Sequence, residues 1–166
     1  MHNKTTSFKI PIILWIYNKK VQTKALVDLG ATMNFVDKVV IKNNNLVIHK
    51  LANLYCVINA DGTPNKVGQI TEYVRAYIEI GLHKTIQHLF VTNLGNKEMM
   101  IGYSYLYKHN SNIDWQKDQW EFTRYLDTCT SKVHKTRDIE AGANEFHLEI
   151  DVSRFPSITN SYLLDL

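Results

Sequence analysis

At 166 residues, with 45% hydrophobic and 21% charged side chains, the chain has the size of one domain plus an extension and enough apolar material for a core. Nineteen Lys and Arg against sixteen Asp and Glu leave a formal charge of +3, too weak a basic excess to argue for a nucleic-acid partner. Cys56 and Cys129 stand in no paired motif, no apolar run approaches the ~20 residues of a bilayer span, and "MHNKTTSFKI" lacks the apolar core of a secretory signal, so a reduced, intracellular (cytoplasmic) protein with no membrane partner is expected.

In "SFKIPIILWI" the residues Phe8, Ile10, Ile12, Leu14 and Ile16 recur at a period of two, which predicts a strand with one apolar face. "YNKK" at 17–20 reads as a turn and "VQTKALVDL" as the returning strand of a hairpin. "VDKVVIKNNN" at 36–45 predicts a short helix that ends in the asparagine run. "LYCVI", "NADGTPN" and "QITEYVRAYIEIGL" form a second predicted hairpin, with Asp61-Gly62 in its turn and Pro64 just after. In its return strand Val74, Ala76, Ile78 and Ile80 share a face. A third hairpin turns near Gly81-Leu82-His83-Lys84 into "TIQHLFVTNL", and "MMIGYSYLYKHN" reads as an apolar strand, a glycine and a short helix. The pattern is all-β with one or two short helices. It changes after residue 124: residues 1–124 carry +6, whereas residues 125–166 carry −3 and show little periodicity, as expected of a linker or the truncated start of a following segment.

One carboxylate stands apart. Asp28 closes the run Ala25-Leu26-Val27, a strand expected to be buried on both faces, where burial disfavours the charged form unless donors or water reach it. Gly30 allows a sharp turn that brings backbone N–H groups to that carboxylate. An Asp-x-Gly triplet alone is most often a turn, but its surroundings are more specific. The order apolar strand, Asp-x-Gly-Ala-Thr, glycine-containing hairpin, then "MMIGYSYL" resembles the retropepsin-like aspartic proteases, particularly those in polyproteins of gypsy-type LTR retrotransposons. Their motif apolar-apolar-Asp-(Ser/Thr)-Gly-Ala-(Thr/Ser) is matched by Leu26, Val27, Asp28, Gly30, Ala31 and Thr32. "ADGTPNKVGQIT" matches the flap hairpin, and "EMMIGYSYLYKHNSNIDWQKDQWEFTR" matches the terminal apolar-apolar-Gly-helix element and the tail after it.

The resemblance implies a retropepsin-like acid-protease barrel, one lobe per chain, with residues 1–124 as the protease domain. It implies a homodimer, since one Asp-x-Gly-Ala-Thr per chain supplies half of a carboxylate pair. The two Asp28 side chains would share a proton and activate a water against a peptide carbonyl, a reaction without metal or cofactor. The implied substrate is an extended polypeptide, held by main-chain hydrogen bonds under a flap formed by Asn59, Ala60, Asp61, Gly62 and Thr63 and running to Asn65. Val27, Ala31 and Thr32 would form the floor, supported by Ile101 and Gly102. No direct nucleic-acid contact is implied.

Leu29 departs from the pattern, because the family carries Ser or Thr there, whose hydroxyl hydrogen-bonds across the dimer beside the catalytic pair. Two functions therefore stand open: an aspartic endopeptidase, or a catalytically impaired or domesticated copy of the fold acting as a dimerisation or binding module.

Other constellations read as structural. Among seven histidines, His83 and His88 share no ligand face, and His109 in "KHN" is expected to cap a helix C-terminus. Ser104 in "GYSYL" lacks the second glycine of a nucleophile elbow. Tyr103, Tyr105 and Tyr107 are expected in packing and dimer contacts, and Trp115 and Trp120, flanking the hairpin "QKDQ", over the barrel edge.

Overall fold

The computed structural model describes residues 7–59, 61–122 and 162–163. The strand expected first is β1 (Lys9–Ile16), and its even-numbered residues, with Phe8 before them, are buried. It returns as β2 (Lys19–Val27) in the register Ile16↔Lys19 to Lys9↔Leu26. The turn is therefore only Tyr17-Asn18, shorter than the predicted 17–20, and Tyr17 takes φ 53 to close it. β2 also ends one residue before Asp28, whereas the sequence pattern carried the strand through Leu29. β3 (Phe35–Asp37) leads into the expected helix α1 (Lys38–Asn43). β4 (His49–Ile58) and β5 (Pro64–Ile80) form the second hairpin, and β5 turns at Gly81-Leu82 into β6 (His83–Thr92). β7 (Met99–Ile101), α2 (Tyr103–His109) and the small hairpin β8 (Asn112–Asp114) and β9 (Gln119–Glu121) follow. A short strand β10 (Tyr162–Leu163) completes the described elements. The rest of the segment expected to be a linker, residues 125–166, lies outside the described residues.

Six strands close on themselves in the order β1-β2-β7-β3-β6-β5, with β5 returning to β1 through Ile13↔Glu79, Leu14↔Ile78 and Trp15↔Tyr77. Closure removes the unpaired edges of an open sheet. β7 is the strand that brings the distant parts together: it runs parallel to β2, with Val27 opposite Ile101, and antiparallel to β3, with Phe35 opposite Met100. The long β5 serves two structures. Tyr73–Ile80 pairs with β6 in the barrel, and the preceding half pairs with β4. The β4–β5 hairpin therefore continues out of the barrel.

Two apolar clusters follow from this. One fills the barrel with Leu14, Val74, Ile78, Leu89, Met99, Ile101 and the α2 residue Tyr105 among others. The other joins Leu26, Ala31, Phe35, Phe90 and Met100 on the barrel to Val57 and Ile70 on the hairpin. Trp120 packs partly buried against the first cluster, whereas Trp115 is 48% exposed and makes an edge-type contact with the Phe8 ring at 5.7 Å between centroids. Of the three alternating tyrosines, Tyr105 is core, while Tyr103 and Tyr107 lie on the exposed side of α2 with ring centroids 5.8 Å apart.

The position of His109 in "KHN" points to the C-terminal end of α2. His109 is the last residue of α2 and is buried, and Asn110 ends the helix in the left-handed conformation at φ 42. Its ring lies 4.1 Å from Tyr105 and 4.8 Å from His83, measured between centroids. His83, 26 positions earlier in sequence, is brought there because β6 begins beside the C-terminal end of α2.

Candidate active site

Asp28 sits half-buried where β2 runs out. Its backbone N–H donates to Ile101 O at 3.0 Å, a last rung of the β2–β7 ladder, and the chain then turns. The Gly30 N–H donates to Asp28 Oδ1 at 2.8 Å, so one main-chain donor of the turn reaches the carboxylate, while the Ala31 N–H donates to the main-chain Asp28 O at 3.3 Å. Leu29 and Gly30 are exposed at its crest, with Leu29 58% exposed, whereas Ala31 returns to complete burial.

The loop is held from below by the start of α2. Tyr103 N–H donates to Ala31 O at 2.7 Å and Ser104 N–H to Thr32 O at 3.0 Å. These are helix N-terminal donors that lack partners within their own helix. The third support is Asn34, 3% exposed, whose Oδ1 accepts the Gly102 N–H at 3.1 Å while its backbone O accepts Phe90 N–H at 2.9 Å. Gly102 is required by space: a Cβ there would stand 2.2 Å from Met33 O and 2.6 Å from Ala31 O. Ile101 and Gly102, expected to support the floor, lie at the β7–α2 junction, where Ile101 O accepts the Asp28 N–H and the Gly102 N–H donates to the Asn34 side chain. Val27, expected in the floor, turns its side chain into the barrel core, and the described contribution of Thr32 is its carbonyl.

At the tip of the β4–β5 hairpin, Asn59 N–H donates to Thr63 O at 2.8 Å and Gly62 N–H to Asn59 O at 2.9 Å. Gly62 has φ 84, a conformation that other residues adopt only with strain. Asp61 accepts both the Thr63 hydroxyl at 2.6 Å and the Thr63 N–H at 2.9 Å, and these bonds lower its pKa below the ordinary carboxylate value. Its carboxylate is committed to the turn, so Asp61-Gly62 is structural. Ala60 lies outside the described residues. Farther down the hairpin, Val57 and Ile70 pack in the cluster that contains Leu26 and Ala31, which ties the hairpin to the residues on either side of the Asp28 turn.

Two further residues escaped sequence reasoning. Asn34 carried one signal, a polar residue between Met33 and the apolar pair Phe35-Val36. Asp37, 4% exposed, accepts Val39 N–H at 2.7 Å to cap α1 and Leu94 N–H at 2.6 Å with its other oxygen. Among the described residues, no group of three His, Cys, Asp or Glu side chains is arranged to hold a metal, and no helix is long and apolar enough to cross a membrane.

The model of the PEG10/RTL1 protease domain family matches residues 24–133, which include the Asp28 loop, the hairpin and the β7–α2 junction. The chain belongs to that family. The PEG10/RTL1 protease domain is retropepsin-like and of retrotransposon origin, which agrees with the barrel described above. Among solved structures, the chain is similar to the retroviral protease-like domain of Ddi1 from Leishmania major, with TM-score 0.53 and 18% identity, over 74% of this chain and 92% of that one. That likeness is one of fold. The EIAV protease complexed with the inhibitor HBY-793 matches at TM-score 0.45 and 10% identity, over 69% of this chain and 98% of that one. No curated protein sequence matches the chain.

Proposed function

We propose that this PEG10/RTL1-type domain, residues 1–124, is an aspartic endopeptidase of a gypsy-type polyprotein that works as a homodimer. Residues 125–166 would be a linker or the truncated start of a following polyprotein segment. The observation that carries the reading is the Asp28 turn: a carboxylate at a strand end, accepting the Gly30 N–H and fixed by Ile101, at a partly open surface. One chain offers one such carboxylate, and two brought together on a two-fold axis make a pair in which one is protonated and the other ionised. The ionised member takes a proton from water, whose oxygen attacks the peptide carbonyl carbon, while the protonated member gives its proton to the carbonyl oxygen. Collapse of the resulting diol with protonation of the nitrogen breaks the C–N bond. The Asn59–Thr63 tip closes over the substrate strand.

Leu29 bears on rate and dimer stability. Its side chain stands exposed at the crest of the turn, where a hydroxyl would reach polar groups of the second copy; leucine neither donates nor accepts. The rival reading, a fold kept for dimerisation or binding, rests on this residue.

The test is cleavage of an unstructured polypeptide from pH 5 to 7.5 by the chain as it stands, by Asp28→Asn and by Leu29→Ser, each at several concentrations. Activity lost in Asp28→Asn, with specific activity falling on dilution, is the expected result. Activity only in Leu29→Ser would make this chain an impaired protease with an intact site. Silence of all three as folded dimers would favour the binding module.

A further inference from the structure

The outer edge of β4 is a row of main-chain groups that β5 does not use, since β5 pairs with β4 on its other side. Such an edge accepts another strand. In this chain it already has one. β10 lies parallel to β4, with Tyr162 opposite Val57 and Leu163 opposite Ile58. The position on β4 is informative. Ile58 immediately precedes the Asn59–Thr63 turn, and Val57 is the β4 residue whose side chain is buried with Leu26 and Ala31 around the Asp28 turn. β10 therefore pairs with the stretch of hairpin fastened to the candidate active site, and not with the exposed Ala52–Leu54 stretch farther back.

An extended peptide that joins a strand edge is held by main-chain hydrogen bonds, and its side chains are read by pockets. β10 supplies such main-chain groups at Tyr162 and Leu163. We propose that the C-terminal segment around Tyr162–Leu163 is a built-in occupant of the peptide groove, docking as a strand on β4 beside the flap tip and competing there with an external polypeptide. The inference rests on the flap reading of the β4–β5 hairpin given above. Because the segment belongs to the same chain, its docking is intramolecular, and a free peptide must exceed the effective concentration set by the tether before it displaces the segment. The groove then opens when the segment is drawn off by a partner or cut away.

The experiment uses the full chain with Asp28→Asn, so that nothing is cleaved, alone and combined with Leu163→Pro. Proline removes the Leu163 N–H and restrains Tyr162. Asp165→Pro, which leaves both paired residues with their N–H groups, is the control. Amide hydrogen exchange is read at residues 56–59, and binding of a labelled peptide with the sequence of residues 158–166 is read by anisotropy. The expected result is about tenfold faster exchange and about tenfold tighter peptide binding in the Leu163→Pro chain only, with peptide of scrambled sequence binding weakly throughout. Unchanged exchange at 56–59, or faster exchange with no gain in peptide affinity, overturns the proposal. Cleavage by the matching chains with Asp28 restored is scored separately. Released tail and tight peptide binding without cleavage uphold the tail's role and remove the endopeptidase reading, whereas cleavage with unchanged exchange does the reverse.

Discussion

Lowering the pH from 7.5 to 5 should cost this fold about 4 kcal/mol, through two histidines remote from Asp28. His109 has its pKa lowered from 6.5 to about 3, first by burial and then by the nearby His83 and Lys108. His88 is lowered from 6.5 to about 4, first by burial and then by Arg75 and His49. Both are therefore neutral in the folded chain at pH 5, whereas each takes up a proton on unfolding. For a group with an unfolded pKa of 6.5, that uptake favours the unfolded state at pH 5 by RT ln(1 + 10^1.5), or about 2 kcal/mol each. The sign is fixed: the folded pKa values lie below the unfolded one, so stability is fully present above pH 6.5 and is lost as the pH falls towards 4 for His88 and 3 for His109. His83, also lowered by burial, acts in the same direction. A loss of this size is a large part of a domain's usual ~5–15 kcal/mol. Guanidinium unfolding followed by tryptophan fluorescence at pH 7.5, 6.5, 5.8 and 5 measures it, with His88→Gln, His109→Phe and the double variant. Each substitution should remove about 2 kcal/mol of the pH dependence, leaving the double variant with a much smaller slope, to which His83 contributes. A midpoint that does not move between pH 7.5 and 5, or a double variant as pH-sensitive as the parent, would refute the reasoning.

Gly102→Ala should destabilise by about 3 kcal/mol or prevent folding, since relieving a 2.2 Å approach to Met33 O breaks the Tyr103, Ser104 and Gly102 hydrogen bonds to the Asp28 loop, at about 1 kcal/mol each. A loss below 0.5 kcal/mol in denaturant unfolding would mean that loop and junction are not in contact. Asn34→Ala leaves the Gly102 N–H buried without its acceptor and should cost about 1–3 kcal/mol, while Asn34→Asp, which retains an acceptor, should cost less; the reverse order in thermal melts contradicts the assignment. Asp37→Ala removes the α1 cap and the acceptor of Leu94 N–H, and about 2–4 kcal/mol should be lost, with amide exchange accelerated at both Val39 and Leu94. Acceleration at Val39 alone would separate the two roles.

What could be read without coordinates was whatever repeats or punctuates locally. Alternation marked β1 and the inner face of β5; the Asp61-Gly62 and Gly81-Leu82 turns marked their hairpins; and the asparagine run marked the end of α1. The Asp28 turn was legible because a carboxylate after three apolar residues and two before a glycine is a local anomaly, and its Gly30 N–H bond spans only two residues. Where the strand ended was not legible, because the last rung is a bond to Ile101, 73 positions away. The histidines failed for the same reason: His83 and His109 are unremarkable in their own segments and become neighbours only when β6 and α2 are packed.

The sequence by itself determined the long strands, the two short helices, the hairpin turns and the one carboxylate worth following, because these depend on side-chain period, backbone freedom and contacts within a few residues; it missed β3, which it read into the helix at 36–45, and β10, in the segment it read as a linker. Tertiary structure alone decided that β5 closes on β1, that β7 inserts between β2 and β3, that Asn34 and a side-chain-free Gly102 lock the Asp28 loop to α2, and that the Tyr162–Leu163 strand meets the hairpin at Val57–Ile58. Each of these joins segments far apart in the chain, and all but the Asn34 contact do so through main-chain hydrogen bonds, formed by groups every residue carries, which leave no mark on the order of side chains.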